Sequence, residues 1–485
     1  MEDKSLVKKF ISYGVGSIVT LLIGFFTSPI ITRLINPNEF GKFSMFTMFT
    51  SVVSIVVVCG LDQSFVRFFY EEKEESRSKL LLYSLEIPIL INIIFSIIVL
   101  LFSSKISFLL FQAESFEMIV LLVINNTILL INRFAILVIR MQQKSKLYSL
   151  LQIYQKIAYI IFVLLLVVPF NKDFRTLVYA TTFSNLIVTF YAIILEKNFW
   201  TNMFLKDIKT KNTKLEIIKY GLPLVFTFLI TWLFQSIDRI AIQKYSGFEE
   251  LGVYSAAFTI ISLLNAVQTT FTTFWVPVAY EEYENNSNNK DFFVKVNRIV
   301  TVSMFYLGVF LILFKDIIVL LLGSKYRDAS YIMPFMIFMP LMYTISETTV
   351  LGINFKKKPK YHIFIAGASC LVNIIGNFIL VPNLGAKGAA ISTGIAYIVF
   401  FTMRTLISKK LYNFNYGLVK FFVCTVSMSI LALYSSFFTF NIVILFLSLF
   451  NIILITVLYF DIIKYYFNEA LVTVKKYKNR RQIFP

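Results

Sequence analysis

Apolar residues run along this chain in stretches of about twenty, each closed by a short polar segment. A helix needs about 20 such residues to cross the hydrocarbon core of a bilayer. By that measure the sequence predicts fourteen spans: 9–32, 42–61, 80–103, 117–139, 147–169, 176–196, 217–241, 251–277, 299–322, 330–352, 361–382, 386–407, 417–437 and 440–460. The run 299–322 contains Lys315 and Asp316, and the last two runs are closely joined. Residues 106–112 are too few to span and read as an interfacial piece. Met1 to Lys9 is short and charged. The apolar run behind it is long enough to span and lacks a small-residue cleavage signature, so it reads as a retained first helix.

Composition narrows the class. Of 485 residues, 58% are hydrophobic and 15% charged, with 53 Phe. Soluble domains carry about 25% charged residues, and a soluble globule of this composition could not cover its apolar surface. A soluble enzyme, a disordered chain and a nucleic-acid binder are thereby disfavoured, leaving an all-α polytopic protein of the bacterial inner membrane. The net charge of +19 is then first an orientation signal. With the N-terminus inside, alternate connections carry 33 Lys and Arg and the opposite side 11, in phase along the whole chain. Both termini are therefore expected in the cytoplasm. The three Cys form no CxxC pair, the single His362 cannot build a histidine metal site, and no GxxxxGK[ST] run is present. Neither a metal nor a cofactor is expected, and no loop is large enough for a catalytic domain outside the membrane.

The halves echo each other. Glu39-Phe-Gly41-Lys-Phe43-Ser44 and Glu250-Leu-Gly252-Val-Tyr254-Ser255 both open an even-numbered span, offset by 211 residues. That offset fits a six-helix parallel repeat, an architecture that holds substrate between its halves.

Several spans carry polar stripes at helical spacing. Gly16, Thr20, Gly24 and Thr27 share a face in the first span, and Ser44, Thr47, Ser51 and Ser54 in the second. Asn126, Arg133 and Arg140 recur by sevens in the fourth; Ser149, Gln152, Lys156 and Tyr159 share a face of the fifth. The seventh has Thr227, Thr231, Gln235 and Asp238, and the eighth Ser255, Thr259, Ser262 and Thr269. Such stripes line a water-accessible cavity or form ordinary small-residue helix contacts. Charges say more, because one sunk in a span is costly and by default functional. Arg133 and Lys156 lie deep, with no acid in the fourth or fifth span to neutralise them. An uncompensated cationic pocket binds an anion, most simply a phosphate; the alternative is pairing with an acid of another helix, Asp62 or Glu347. Asp62 and Arg67 flank the end of the second span as a cap or a cytoplasmic gate. Asp238, Arg239 and Glu347 are candidates for gate ion pairs or a coupling-ion site, or for residues solvated at the interface. Pro29, Pro223, Pro277, Pro334 and Pro340 lie within spans and mark kinks or hinges.

A set of short motifs in order along nearly the whole chain resembles one family. The motifs are Thr32-Arg33-Leu34 with Pro37-Asn-Glu39-Phe-Gly41-Lys-Phe, Gly60-Leu-Asp62 through Arg67-Phe68-Phe69, and Arg140 with Lys144 and Tyr148. Tyr220-Gly-Leu-Pro223 leading to Asp238-Arg239, Gly252-Val-Tyr254, and Pro382-Asn-Leu-Gly385-Ala-Lys-Gly388-Ala-Ala complete the set. Together they resemble the oligosaccharide flippases of the multidrug/oligosaccharidyl-lipid/polysaccharide (MOP) exporter superfamily. The resemblance implies two pseudo-symmetric six-helix lobes plus a final helix pair. On that basis the lobes are 1–196 and 217–410, joined by a basic cytoplasmic linker 197–216 and followed by helices in 411–463 and a basic tail 464–485. It implies alternating access that carries a polyprenyl-diphosphate-linked glycan from the cytoplasmic to the outer leaflet, for O-antigen, capsule or a similar polysaccharide. Arg133, Lys156, Arg67 and Arg140 would hold the diphosphate, and Asn126, Gln152, Tyr159, Thr231 and Gln235 would line the cavity. A polysaccharide polymerase and other assembly proteins are the implied partners. Two other readings stay open: a cation-coupled drug antiporter of the same superfamily, which calls for deep acids, and a membrane-embedded polymerase or glycosyltransferase, which calls for a large outer loop or an acid cluster.

Overall fold

The structure, a computed structural model, describes residues 19–20, 22–205, 209–286 and 289–465. Gly16, the N-terminal lysines and the basic run ending at Arg481 lie outside the described residues. Those described form helices and connections, with no strand among them. In order the helices are α1 (Leu22–Leu34), α2 (Pro37–Val58), α3 (Leu61–Phe68), α4 (Arg77–Leu101), α5 (Ser103–Phe111) and α6 (Phe116–Met141). Then come α7 (Ser145–Leu166), α8 (Phe174–Leu195), α9 (Lys197–Asn202), α10 (Lys214–Asn285), α11 (Lys290–Leu313) and α12 (Lys315–Val319). The last are α13 (Ala329–Met336), α14 (Phe338–Thr349), α15 (Leu351–Phe355), α16 (Lys360–Leu411), α17 (Leu418–Ser435) and α18 (Ile442–Leu458).

Ten of these helices or helix pairs are long and apolar enough to cross a membrane, and α1 and α18 are shorter apolar helices. Two of the ten are double. In α10 the run is broken at Gly247 (φ 85°, ψ −175°) and in α16 at Gly385 (φ 56°, ψ −137°), backbone positions that only glycine holds without strain. Divided there, the described residues give fourteen apolar helices, and the chain is a multi-pass membrane protein. The helix before Phe314 ends at Leu313, so Lys315 and Asp316 fall in the short α12 and not within a span. Broad apolar surfaces remain uncovered, among them Ile93, Ile97 and Leu101 of α4 and Ile442, Phe446 and Val457 of α18. That is the face a lipid-exposed helix presents.

Local chemistry sets the helix ends. Asn36 caps α2 by accepting the Glu39 amide at 3.1 Å, with Pro37 at the first helical position and Glu39 in the first turn. Ser115 caps α6 and Asn441 caps α18 in the same way. Cys59 and Gly60 are both left-handed (φ 51° and 68°), and they separate α3 from α2.

The chain divides into two compact units. The first comprises the residues up to Ile260 with Leu322–Tyr326, and the second Ile261–Leu321 with Arg327 onward. In the first unit α6 packs along α8 and α8 along α7 over a core of Ala135, Ile139, Leu151, Val188 and Ala192, while a second core that includes Phe65, Phe134 and Val138 lies between α6 and α2, α3 and α4. Here the two echoed motifs meet. A Cβ on Gly41 would lie 2.0 Å from the Phe248 carbonyl oxygen, and one on Gly252 only 1.8 Å from that of Pro37. The offset of 211 carries Pro37 onto Phe248 and Gly41 onto Gly252, so each contact is the counterpart of the other and one surface is used twice in reciprocal fashion. Ser44 and Ser255, equivalent positions, share a hydrogen bond of 2.8 Å between their hydroxyls. In the second unit Trp275, Phe293, Phe355 and Phe414 form an aromatic core.

Candidate functional site

Within the first unit, α2, α3, α6, α7, α8 and α10 on both sides of its Gly247 break line an open cavity of about 1060 Å³. The α6 wall is Asn125, Leu129, Asn132, Arg133, Ile136, Leu137 and Arg140, which recur by threes and fours and so share one helix face. Thr47, Thr50, Ser51 and Ser54 come from α2, Asp62 and Gln63 from α3, Tyr148, Gln152 and Gln155 from α7, and Thr181 and Asn185 from α8. Phe228, Thr231, Trp232, Gln235, Ser236, Arg239 and Phe258 come from α10. The lining thus holds three guanidinium groups against one carboxylate, with amides on five of its walls.

Arg133 is not unneutralised. Its Nε and Nη2 donate to Asp62 Oδ2 at 2.8 and 2.5 Å, and Gln63 Nε2 donates to the same oxygen at 2.9 Å. The Asp62 side chain is 2% exposed and that of Arg133 43%, so the acid is buried and the guanidinium faces the cavity. Asp62 Oδ1 is buried and has no hydrogen-bond partner among the described residues. The expectation of an uncompensated cation therefore gives way, for Arg133, to the alternative: an acid from another helix supplies the counter-charge. Arg140, two turns further along α6, lines the cavity and makes no side-chain hydrogen bond or ion pair among the described residues.

The polar groups between these charges are partly tied together. Asn132 donates to Thr189 Oγ1 at 2.8 Å, Gln155 to Asn185 Oδ1, and Asn185 to Asn125 Oδ1 at 3.4 Å. Trp232 Nε1 donates to Ser51 Oγ at 2.8 Å.

Of the residues the sequence singled out, Arg133, Arg140, Gln152, Thr231, Gln235, Asp62 and Arg239 stand in this lining, as do Thr47, Ser51 and Ser54 of the second-span stripe. The other site candidates do not. Lys156 is exposed on α7, one residue and so about 100° round the helix from the lining Gln155. Arg67 is exposed and paired with Glu71 in the turn that follows α3. Asn126 is buried behind the wall, neither amide atom hydrogen-bonded, and Asn125 takes its place. Tyr159 packs against the cluster of Ile31, Ile35 and Val163 outside the lining. Asp238 is buried and accepts from the Tyr254 hydroxyl at 2.6 Å. Glu347 lies in the second unit, where Arg404 Nη1 donates to it at 2.8 Å and to Ser346 Oγ at 2.6 Å. Arg404, near the end of the predicted span 386–407, is buried in α16 beside the rings of Tyr343 and Phe400. Asn125, Asn132, Gln155, Asn185 and Trp232 went unremarked in the sequence; Asn125 and Asn132, seven apart beside Arg133, were the available signal.

The arrangement is that of an all-α, multi-span membrane protein with the fold seen in transporters of the MOP superfamily. The chain superposes on the lipid II flippase MurJ in an inward closed conformation with a TM-score of 0.68, at 18% identity, over 95% of this chain and 100% of that one. It is similar to an inward-facing multidrug resistance MATE family transporter of the MOP superfamily (TM-score 0.58, 14% identity, 81% and 94% of the two chains). A MOP superfamily transporter from Pyrococcus furiosus, described for the reverse polarity of its binding pocket, matches with a TM-score of 0.58 at 15% identity over 84% and 95%. No curated protein matches in sequence. Residues 6–282 match the polysaccharide biosynthesis protein family, and the chain belongs to that family.

Proposed function

We propose that this chain is a flippase that moves a polyprenyl-diphosphate-linked oligosaccharide repeat unit from the cytoplasmic to the outer leaflet of the bacterial plasma membrane, by alternating access, both termini lying in the cytoplasm. The observation that carries this reading is the lining of the cavity. Three arginines to one aspartate favour an anion, and Asn and Gln side chains, each both donor and acceptor, replace the water shell of sugar hydroxyls. Arg133 and Arg140 hold the diphosphate, since guanidinium groups match phosphate oxygens in fork geometry. Asp62 is the counter-ion Arg133 keeps while the cavity is empty, and an arriving phosphate takes its place. Lys156 and Arg67, outside the lining, are left out of this assignment. The polyprenyl tail stays in lipid, and a polymerase working on the outer leaflet is the natural recipient of the cargo.

A carrier of organic cations is the poorer reading, because the lone cavity carboxylate is already spent on Arg133. The test is deletion of the gene followed by separation of lipid-linked sugars by leaflet. Repeat units should accumulate on the inner leaflet, the wild-type gene should clear them, and genes carrying Arg133→Ala or Arg140→Ala should not, although both proteins reach the membrane. Normal export by both variants would remove the diphosphate assignment.

A further inference from the structure

The α10 wall of the cavity carries a cation that the diphosphate reading does not use. Phe228, Thr231, Trp232, Gln235, Ser236 and Arg239 recur by threes and fours and form one face. The guanidinium of Arg239 lies over the Phe258 ring, 5.2 Å from its centre. Its Nε is buried and donates to nothing among the described residues. The adjoining acid Asp238 is turned out of the lining, to the Tyr254 hydroxyl. A guanidinium has five N–H donors; Arg239 as a whole is half-buried, and a buried Nε–H without an acceptor is costly to leave unmade. The aromatic face opposite satisfies charge but not hydrogen bonding. One turn before Arg239 stands the Gln235 amide, and two turns before it the indole of Trp232. An apolar ring face, an amide and an unsatisfied guanidinium in line are what a sugar bearing an acid group requires: its C–H face on the indole, a hydroxyl on the amide, its anionic oxygens on the fork.

We infer that Arg239 is a second anion site in the cavity, separate from Arg133 and Arg140 on α6, and that it receives the carboxylate or phosphate substituent of an acidic sugar. The inference rests on reading the cavity as a glycan carrier and adds the substrate class, a repeat unit with an anionic group of its own beyond the diphosphate.

Trp232 is a built-in reporter. The purified full-length protein in detergent is titrated with glucuronate, glucose 6-phosphate, glucose and inorganic pyrophosphate while tryptophan emission is followed, Trp232→Phe defining the share of the signal that comes from the cavity. Glucuronate and glucose 6-phosphate should bind at least about tenfold more tightly than glucose. Arg239→Gln should bring the acidic sugars down to the level of glucose, and Arg239→Lys should keep part of the difference. Arg140→Gln should weaken pyrophosphate more than glucuronate, and Arg239→Gln the reverse. Equal binding of glucose and the acidic sugars by the wild type, no saturable response to either acidic sugar, a preference that survives Arg239→Gln, or chloride competing as well as glucuronate would each overturn the second site. Should Arg239→Gln not fold, Arg239→Lys, which keeps the charge and loses the fork, takes its place: an acidic-sugar preference left at the full wild-type level would overturn the site. Loss of the pyrophosphate response with the acidic-sugar preference intact would overturn the diphosphate assignment and leave Arg239 standing.

Discussion

Gly252→Ala tests whether the reciprocal contact between the echoed motifs holds the first unit together. Inside a helix the change should help, because alanine is favoured over glycine by about 1 kcal/mol. Here the new Cβ would lie 1.8 Å from the Pro37 carbonyl oxygen, against 3.4 Å or more for ordinary contact, so the helices must part by about 1.6 Å. The obstructing atom is backbone and cannot rotate away, which places the overpacking cost at the upper end of about 1–3 kcal/mol. The same parting stretches the 2.8 Å Ser44–Ser255 hydrogen bond beyond bonding range, a further loss of about 1 kcal/mol. The net is about 2–3 kcal/mol of destabilisation, and a melting temperature lowered by several degrees. The assay is thermal unfolding of the detergent-solubilised protein, with Gly367→Ala as control because no atom stands within 4 Å of the Cβ it would add. Gly41→Ala should act similarly, its Cβ meeting the Phe248 oxygen at 2.0 Å. The double variant should cost less than the sum, since helices parted once need not be parted again. If Gly252→Ala melts with the Gly367→Ala control, the packing argument is wrong.

Other expectations follow from the charges. Asp62→Asn should raise affinity for pyrophosphate by about tenfold, as Arg133 loses its competing partner, while slowing export because the cargo is released less readily; tryptophan emission and leaflet assays read the two effects. In the second unit the Glu347 and Arg404 side chains are each 8% exposed. Truncating either leaves a buried charge and should cost about 3–5 kcal/mol, whereas Glu347→Leu with Arg404→Met together should melt closer to wild type than either alone. Burial and the neighbouring Glu39 carboxylate push Asp173, in the turn before α8, up to about 6. The folded state then holds a proton the unfolded chain releases near pH 4, so this group's stabilising contribution is present below pH 4 and lost as pH rises to about 6. Asp173→Asn should flatten the melting profile across that window.

The helices were largely legible because each span must satisfy its own backbone within lipid and therefore announces itself as a long apolar run. Which face of a helix meets the cavity was not. Seven residues fall about 20° short of two full turns, so the row Asn126, Arg133, Arg140 drifts round α6, and its far end leaves the wall that Asn125 joins instead. On α7 the same one-residue error separated Lys156 from Gln155. Partners distant in sequence were equally hidden: Asp62 lies 71 residues from Arg133, and Arg404 57 from Glu347. Whether packing buries a charge near a span end was hidden too: Arg404 is buried in α16, and so is Lys315 in α12, where its Nζ bonds the Phe438 carbonyl at 3.1 Å. Arg140 and Arg239 were visible from the outset, but only the surrounding side chains distinguish a cation that has found its partner from one that has not.

The glycine breaks in α10 and α16 bear on how such a molecule moves. A joint one residue long stores no slack chain, so neither helix of the pair can slide along its neighbour without unwinding a turn of one of them. The glycine leaves the angle between the two helices of each pair free to change, while their register stays fixed.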